Sequence, residues 1–189
     1  MLKLGMNCLA PLMILALTVG QAAAQSATPK MTTHRQAAGI LDDEGWTEAS
    51  STLGNYSLKL PGKFNELTLT QQNPKSAVEK AELLTTTTVQ RIHFTATRLK
   101  FRQGKSGAIR QFESIKVAGG KAPYKSIKPM SLNGHAALEA EIEGKNSIAV
   151  QRTVLLDDDL FTLIVEYPKA QEAVAQRLAP TFFGSVTFH

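Results

Sequence analysis

Two stretches, residues 147–156 and 160–167, limit the fold more than anything else in the chain. Both are apolar on both faces over part of their length. A strand with one wet face alternates between apolar and polar, whereas a strand covered on both sides does not. The two stretches are therefore read as central strands. Asp157-Asp158-Asp159 stands between them. Neighbouring side chains on a strand diverge, so three adjacent aspartates cannot converge on one point there. Calcium loops interleave their acids with glycine and carbonyl donors over about a dozen residues. Register favours a turn instead. Placing Val154 across from Phe161 sets Val150 against Val165 and Ile148 against Tyr167, apolar against apolar throughout. The tight connection that remains is centred on Asp157-Asp158, and aspartate suits such a turn.

The rest of the chain is punctuated less clearly. Tyr56, Leu58 and Leu60 alternate with Ser57 and Lys59 as a short strand, ended by Pro61-Gly62. Leu67 and Leu69 alternate with Thr68 and Thr70 in a second strand. Residues 76–84 are read as a short helix, and 85–101, rich in threonine and β-branched residues, as one long strand broken at Gly104. Ala108, Ile109, Phe112 and Ile115 recur at helical spacing up to Gly119-Gly120. Residues 126–130 and 135–142 are read as strands, and Glu143-Gly144-Lys145-Asn146 turns the chain. Ala170, Val174 and Leu178 form a helix stripe expected to stop near Pro180. Val186-Thr187-Phe188 closes the chain as a strand. Residues 25–45 are small, polar and aperiodic, and are read as a flexible leader. Trp46 would then open a single α+β domain over 46–189.

Residues 1–24 read as an export signal. Lys3 supplies the positive start, residues 9–19 the apolar core, and Ala22-Ala23-Ala24 the small residues before a cleavage expected at Gln25. The apolar run is much shorter than the roughly 20 residues a membrane span needs. A periplasmic or secreted mature chain follows. Cys8, the only cysteine, would leave with the signal, so no disulfide or thiolate site is expected. Of 21 Lys and Arg against 16 Asp and Glu, losing Lys3 leaves 20 against 16, a net +4. The charge is concentrated. Between 91 and 128 stand ten basic residues and one acid, Glu113, while the rest of the mature chain is net acidic. Such asymmetry favours contact with an anionic envelope component or an acidic protein partner; outside the cytoplasm nucleic acid is an unlikely one.

Several groupings invite a chemical reading. His135, Glu139 and Glu141 share a strand face, but residues two apart on a strand are separated by roughly 7 Å. A zinc ion needs its ligands near 2 Å, so no metal site is expected. Arg98, Lys100 and Arg102 form a basic ladder. It could grip an anionic surface, or be a solvated face or a charged edge that discourages strand pairing. Arg152 lies between Val150 and Val154 on a face paired with Leu163, and a three-residue loop at Gly144-Lys145-Asn146 would set Leu138 beside it. A buried arginine needs a carboxylate, a carbonyl or a bound anion. There is no nucleophile elbow and no helical His-Glu-x-x-His. Gly104-Lys105-Ser106 mimics the end of a phosphate-binding loop, but Leu99 stands where its first glycine should. No catalytic residue and no cofactor are expected.

Leu60-Pro61-Gly62, Leu132-x-Gly134, Arg152, Leu160-Phe161, Tyr167-Pro168 and Phe182-Phe183-x-Ser185-Val186-x-Phe188 together resemble the PsbP-like group over residues 46–189. Val186 departs from the aromatic usual at its position. The resemblance implies an α/β/α sandwich, an antiparallel sheet with helices on both faces, and binding or assembly roles more than catalysis. The leading expectation is an exported, non-enzymatic binding or accessory protein that contacts an anionic surface or partner through Arg98, Lys100, Arg102 and their basic neighbours. The alternative is a small-ligand-binding or enzymatic protein with Arg152 in an anion pocket.

Overall fold

The structure, a computed structural model, describes residues 28–189; the expected signal, with Cys8 and the cleavage point, lies outside the described residues. The described chain runs β1 (Lys30–Ala37), β2 (Thr47–Ser50), β3 (Tyr56–Leu60), β4 (Phe64–Thr70), β5 (Val78–Thr87), β6 (His93–Phe101), α1 (Gly104–Lys116), β7 (Tyr124–Leu132), β8 (His135–Glu143), β9 (Ser147–Leu155) and β10 (Asp159–Pro168). A 3-10 turn (Lys169–Gln171) then leads into α2 (Glu172–Gly184), and β11 (Thr187–Phe188) follows. The class is α+β. Eight strands form one antiparallel sheet in the order β1-β4-β5-β6-β10-β9-β8-β7, and β11-β3-β2 form a second, smaller one.

Strand β10 lies inside the large sheet and is buried over seven consecutive residues, from Asp159 to Val165. Neighbouring residues of a strand point to opposite faces, so β10 feeds two cores. Leu160 packs with Leu99, Phe101 and the α1 residues Ala108, Phe112 and Ile115. Phe161, Leu163 and Val165 pack with Tyr56 and Leu58 of β3 and with Ala175, Phe182 and Phe183 of α2. The second core is aromatic. Phe161 meets Tyr56 at 4.7 Å and Phe188 at 5.0 Å, both edge-on, and Phe94 meets Phe182 at 5.3 Å. The Tyr56 hydroxyl, buried with its ring, donates to the Ala96 carbonyl at 3.0 Å, which joins the small sheet to the large one.

The β9–β10 hairpin has the register read from the sequence: Val154 faces Phe161, Val150 faces Val165 and Ile148 faces Tyr167. Asp157 and Asp158 form its exposed turn, closed by the Leu156 N–H donating to the Asp159 carbonyl at 3.0 Å.

Four other expectations are corrected. The leader expected over 25–45 contains β1, which pairs with β4 from Lys30 opposite Thr70 to Ala37 opposite Phe64. An edge strand is held by its backbone ladder and needs no apolar alternation. Residues 76–84 are not a helix but the start of β5, because pairing with β4 and β6 overrides the local helix formers. The long strand over 85–101 is two strands folded back at Thr88–Ile92. Arg91 takes the left-handed conformation there (φ 62°), and the Thr88 hydroxyl accepts the Ile92 N–H. Finally, α2 runs through Pro180 to Gly184. Proline removes one helix hydrogen bond, but Phe182 and Phe183 beyond it are buried and hold the last turn against the core.

Replacing Phe161 with alanine would empty the centre of the aromatic core. We expect Phe161→Ala to cost about 3–5 kcal/mol in urea unfolding; a loss under ~1 kcal/mol would contradict this packing.

Candidate functional site

The ten cations of residues 91–128 do not form one patch. Arg91 sits on the β5–β6 turn. Arg98 and Lys100 pair across the sheet with Phe161 and Asp159, on the face that carries the aromatic core. Lys105, Arg110 and Lys116 lie on α1, which packs on Leu99 and Phe101, the residues of β6 that point the other way.

The expected ladder is largely consumed by internal bonds. Arg98 donates from Nε to Asp159 Oδ2 at 2.7 Å and from Nη1 to the Gly54 carbonyl at 2.9 Å. It thereby ties β6 to the β9–β10 turn and to the loop before β3. Lys100 lies 3.5 Å from Glu82 Oε1, which Lys80 also meets at 2.6 Å. Arg102 leaves the strand line and donates to the carbonyls of Ser76 and Gln71, both at 3.2 Å. Of the three aspartates, Asp159 is buried against Arg98, whereas Asp157 and Asp158 remain in solvent.

Arg152 has a carboxylate. Its Nε and Nη2 both lie 2.9 Å from Glu139 Oε2, and its guanidinium stacks over the Phe183 ring at 4.4 Å. The three-residue loop expected at Gly144 is one residue too short. Glu143 pairs with Ile148, so Arg152 faces Glu139 and not Leu138. That one-residue difference converts a cation beside leucine into an ion pair. The polar face of β8 is used in the same way. Glu141 accepts from Lys125 at 2.7 Å and raises its pKa above the ordinary lysine range, while His135 meets the edge of Phe188 at 5.7 Å.

Two buried acids were not singled out in the sequence. Glu66, 1% exposed, accepts from the Ser51 hydroxyl (3.0 Å), the Thr52 N–H (2.6 Å) and the Thr52 hydroxyl (3.0 Å), and pairs with Arg35 of β1 at 3.2 Å. Glu82 is equally buried. Its Oε2 has no hydrogen-bond partner among the described residues. Nothing local marks these positions, because both acids are covered by residues distant in sequence.

Most of the cations left in solvent are on or just after α1, with Arg91 and Lys128 exposed elsewhere. Lys105, Arg110 and Lys116 are exposed on the helix, and Lys121 follows it; Glu113, paired with Lys116 at 3.5 Å, is the one acid between them. Ile109 and Val117 are exposed beside these cations. Between the first turns of α1 and the β4–β5 connection lies an open groove of ≈ 380 Å³, lined in part by Lys75, Arg102 and Arg110. No helix of the described residues is long and apolar enough to cross a membrane.

No protein-family model matches the chain, and no curated protein does. Solved structures that are similar to it include the following two. The solution structure of PsbP (CyanoP) from Synechocystis sp. PCC 6803 is 11% identical, with a TM-score of 0.48, over 80% of this chain and 95% of that one. The crystal structure of LpqN, involved in cell envelope biogenesis of Mycobacterium tuberculosis, is 11% identical, with a TM-score of 0.38, over 87% of this chain and 85% of that one. The group that the residues resemble is thus represented among the similar solved structures, while likeness at this level carries no residue role across.

The Arg98–Asp159 pair separates the three aspartates experimentally. We expect Asp159→Ala to cost about 1–3 kcal/mol by leaving a half-buried guanidinium without its acceptor. Asp157→Ala and Asp158→Ala should each stay within about 0.5 kcal/mol of the parent. Equal effects in urea unfolding would refute the assignment.

Proposed function

We propose that the chain is an exported, non-enzymatic binding or accessory protein of the cell envelope, which meets an anionic surface or an acidic partner through the basic side of α1. The observation that carries this reading is the set of exposed cations Lys105, Arg110, Lys116 and Lys121 with a single acid, Glu113, among them. Charge left in solvent on one helix face is available to a partner, whereas Arg98, Lys100 and Arg152 are spent on internal pairs. The electrostatic contact is therefore moved from the β6 ladder to α1. Export rests on the signal-like residues 1–24. The finer fold reading, a PsbP-like α/β/α sandwich, is supported by the opposite facing of Leu160, which packs with α1, and Phe161, which packs with α2.

Each basic residue near an anionic membrane surface contributes about 1 kcal/mol of attraction. In a vesicle-sedimentation assay we expect the protein to bind phosphatidylglycerol-containing vesicles at low salt and to be released as salt approaches ~0.5 M. The double variant Lys105→Glu, Lys121→Glu should weaken binding at least about tenfold. Binding that ignores both salt and charge reversal would defeat the proposal.

A further inference from the structure

The groove beside α1 has a built wall. Arg102 fastens the β4–β5 connection to the start of the helix: its backbone N–H donates to the Ala77 carbonyl at 3.0 Å, and its side chain reaches Ser76 and Gln71 through Nε and Nη2. The third nitrogen, Nη1, has no hydrogen-bond partner among the described residues. The connection is braced further by the Lys75 N–H donating to Asn73 Oδ1 at 2.9 Å. Gly107 lets α1 close onto β6, because a Cβ there would come within 2.8 Å of the Phe101 Cβ. The groove is thus shaped before any ligand arrives.

Its chemistry points one way. The lining carries three cations, Lys75, Arg102 and Arg110, with Ser76, Gln103 and Ser114 as neutral donors, and it contains no carboxylate. Among the described residues no carboxylate pairs with Lys75, Arg102 or Arg110. By contrast, the neighbouring cations Lys80 and Lys100 share Glu82 between them. The first turn of α1 adds no acid and no side-chain cap, so it only deepens the positive potential. Three cations gathered without a counter-charge repel one another, and an oxyanion relieves that repulsion. Several donors around one centre suit the many acceptor oxygens of a phosphate, which arginine meets in fork geometry. A volume of ≈ 380 Å³ is at the small end for ligand sites and fits a phosphate with one substituent, not a polymer.

We propose that this groove binds a phosphoryl group, presented either by a lipid headgroup or as a free phosphate. The inference rests on the reading of the α1 side as the anion-facing surface and names the group that it recognises.

The test uses the purified protein, inorganic phosphate, and vesicles of phosphatidylcholine with and without phosphatidylglycerol. Lys75→Gln and Arg110→Gln change exposed side chains and keep Arg102 in its brace. Inorganic phosphate should shift the backbone amide resonances of Ser76, Gly107 and Ser114, and each variant should weaken that binding about tenfold. If phosphatidylglycerol vesicles bind with the same dependence on Lys75 and Arg110, the source is a headgroup; if only inorganic phosphate does, it is free phosphate. Vesicle binding that responds to Lys105→Glu, Lys121→Glu but not to Lys75→Gln, without amide shifts in phosphate, overturns the groove and leaves the surface reading intact. No binding in any arm overturns both.

Discussion

Strand β10 is shared by two cores, and the rest of the fold is arranged around that sharing. Its even-numbered Leu160 belongs to the packing under α1, and its odd-numbered Phe161, Leu163 and Val165 belong to the aromatic packing under α2 and the small sheet. A slip of one residue would exchange the two sets and place three large side chains in the wrong core. Both neighbours of β10 enforce the correct alignment. β9 matches it with Val154, Val150 and Ile148, and β6 matches it with the Arg98–Asp159 pair at its turn end. The same strand therefore fixes the apolar layers and positions the charges at one end of the sheet.

The aromatic-core face also carries most of the buried charge. Glu66, Glu82 and Asp159 are each paired with a basic side chain from β1, β5 or β6, and Glu66 is also held by the loop that joins β2 to β3. Removing one member of such a pair strands the other in a poorly hydrated place, so these pairs act as constraints on geometry more than as sources of stability. They also explain the division of labour among the cations. Those at the strand positions 98 and 100 neutralise interior acids, and those on α1 meet no such demand and stay in solvent. Sequence position alone, ten basic residues in one segment, does not separate the two populations.

Legibility in the sequence followed how much each segment is decided by its own side chains. The β9–β10 register was readable because two-sided apolar strands admit only one apolar-to-apolar alignment. α1 was readable because Ala108, Phe112 and Ile115 repeat at helical spacing and all are buried. β1 was missed because seven of its eight residues are polar, threonine or alanine and its ladder supplies the order. β5 was missed because Glu79-Lys80-Ala81-Glu82 favours a helix in isolation, and two flanking strands outweigh that preference. The basic side of α1 was half legible. The excess of positive charge could be counted, but which cations are neutralised depends on Asp159, Glu82 and Glu139, partners 13 to 61 residues away or set by cross-strand register.

The connection between β8 and β9 carries a consequence for the charge on Arg152. Glu143 faces Ile148, and this spacing is what puts a carboxylate across from Arg152. A pairing slipped by one residue, with Glu143 opposite Ser147, would set the guanidinium beside Leu138 and leave Glu139 without its cation. Alignment there is therefore not a neutral variable: the guanidinium stays neutralised only while positions 139 and 152 remain directly opposite each other.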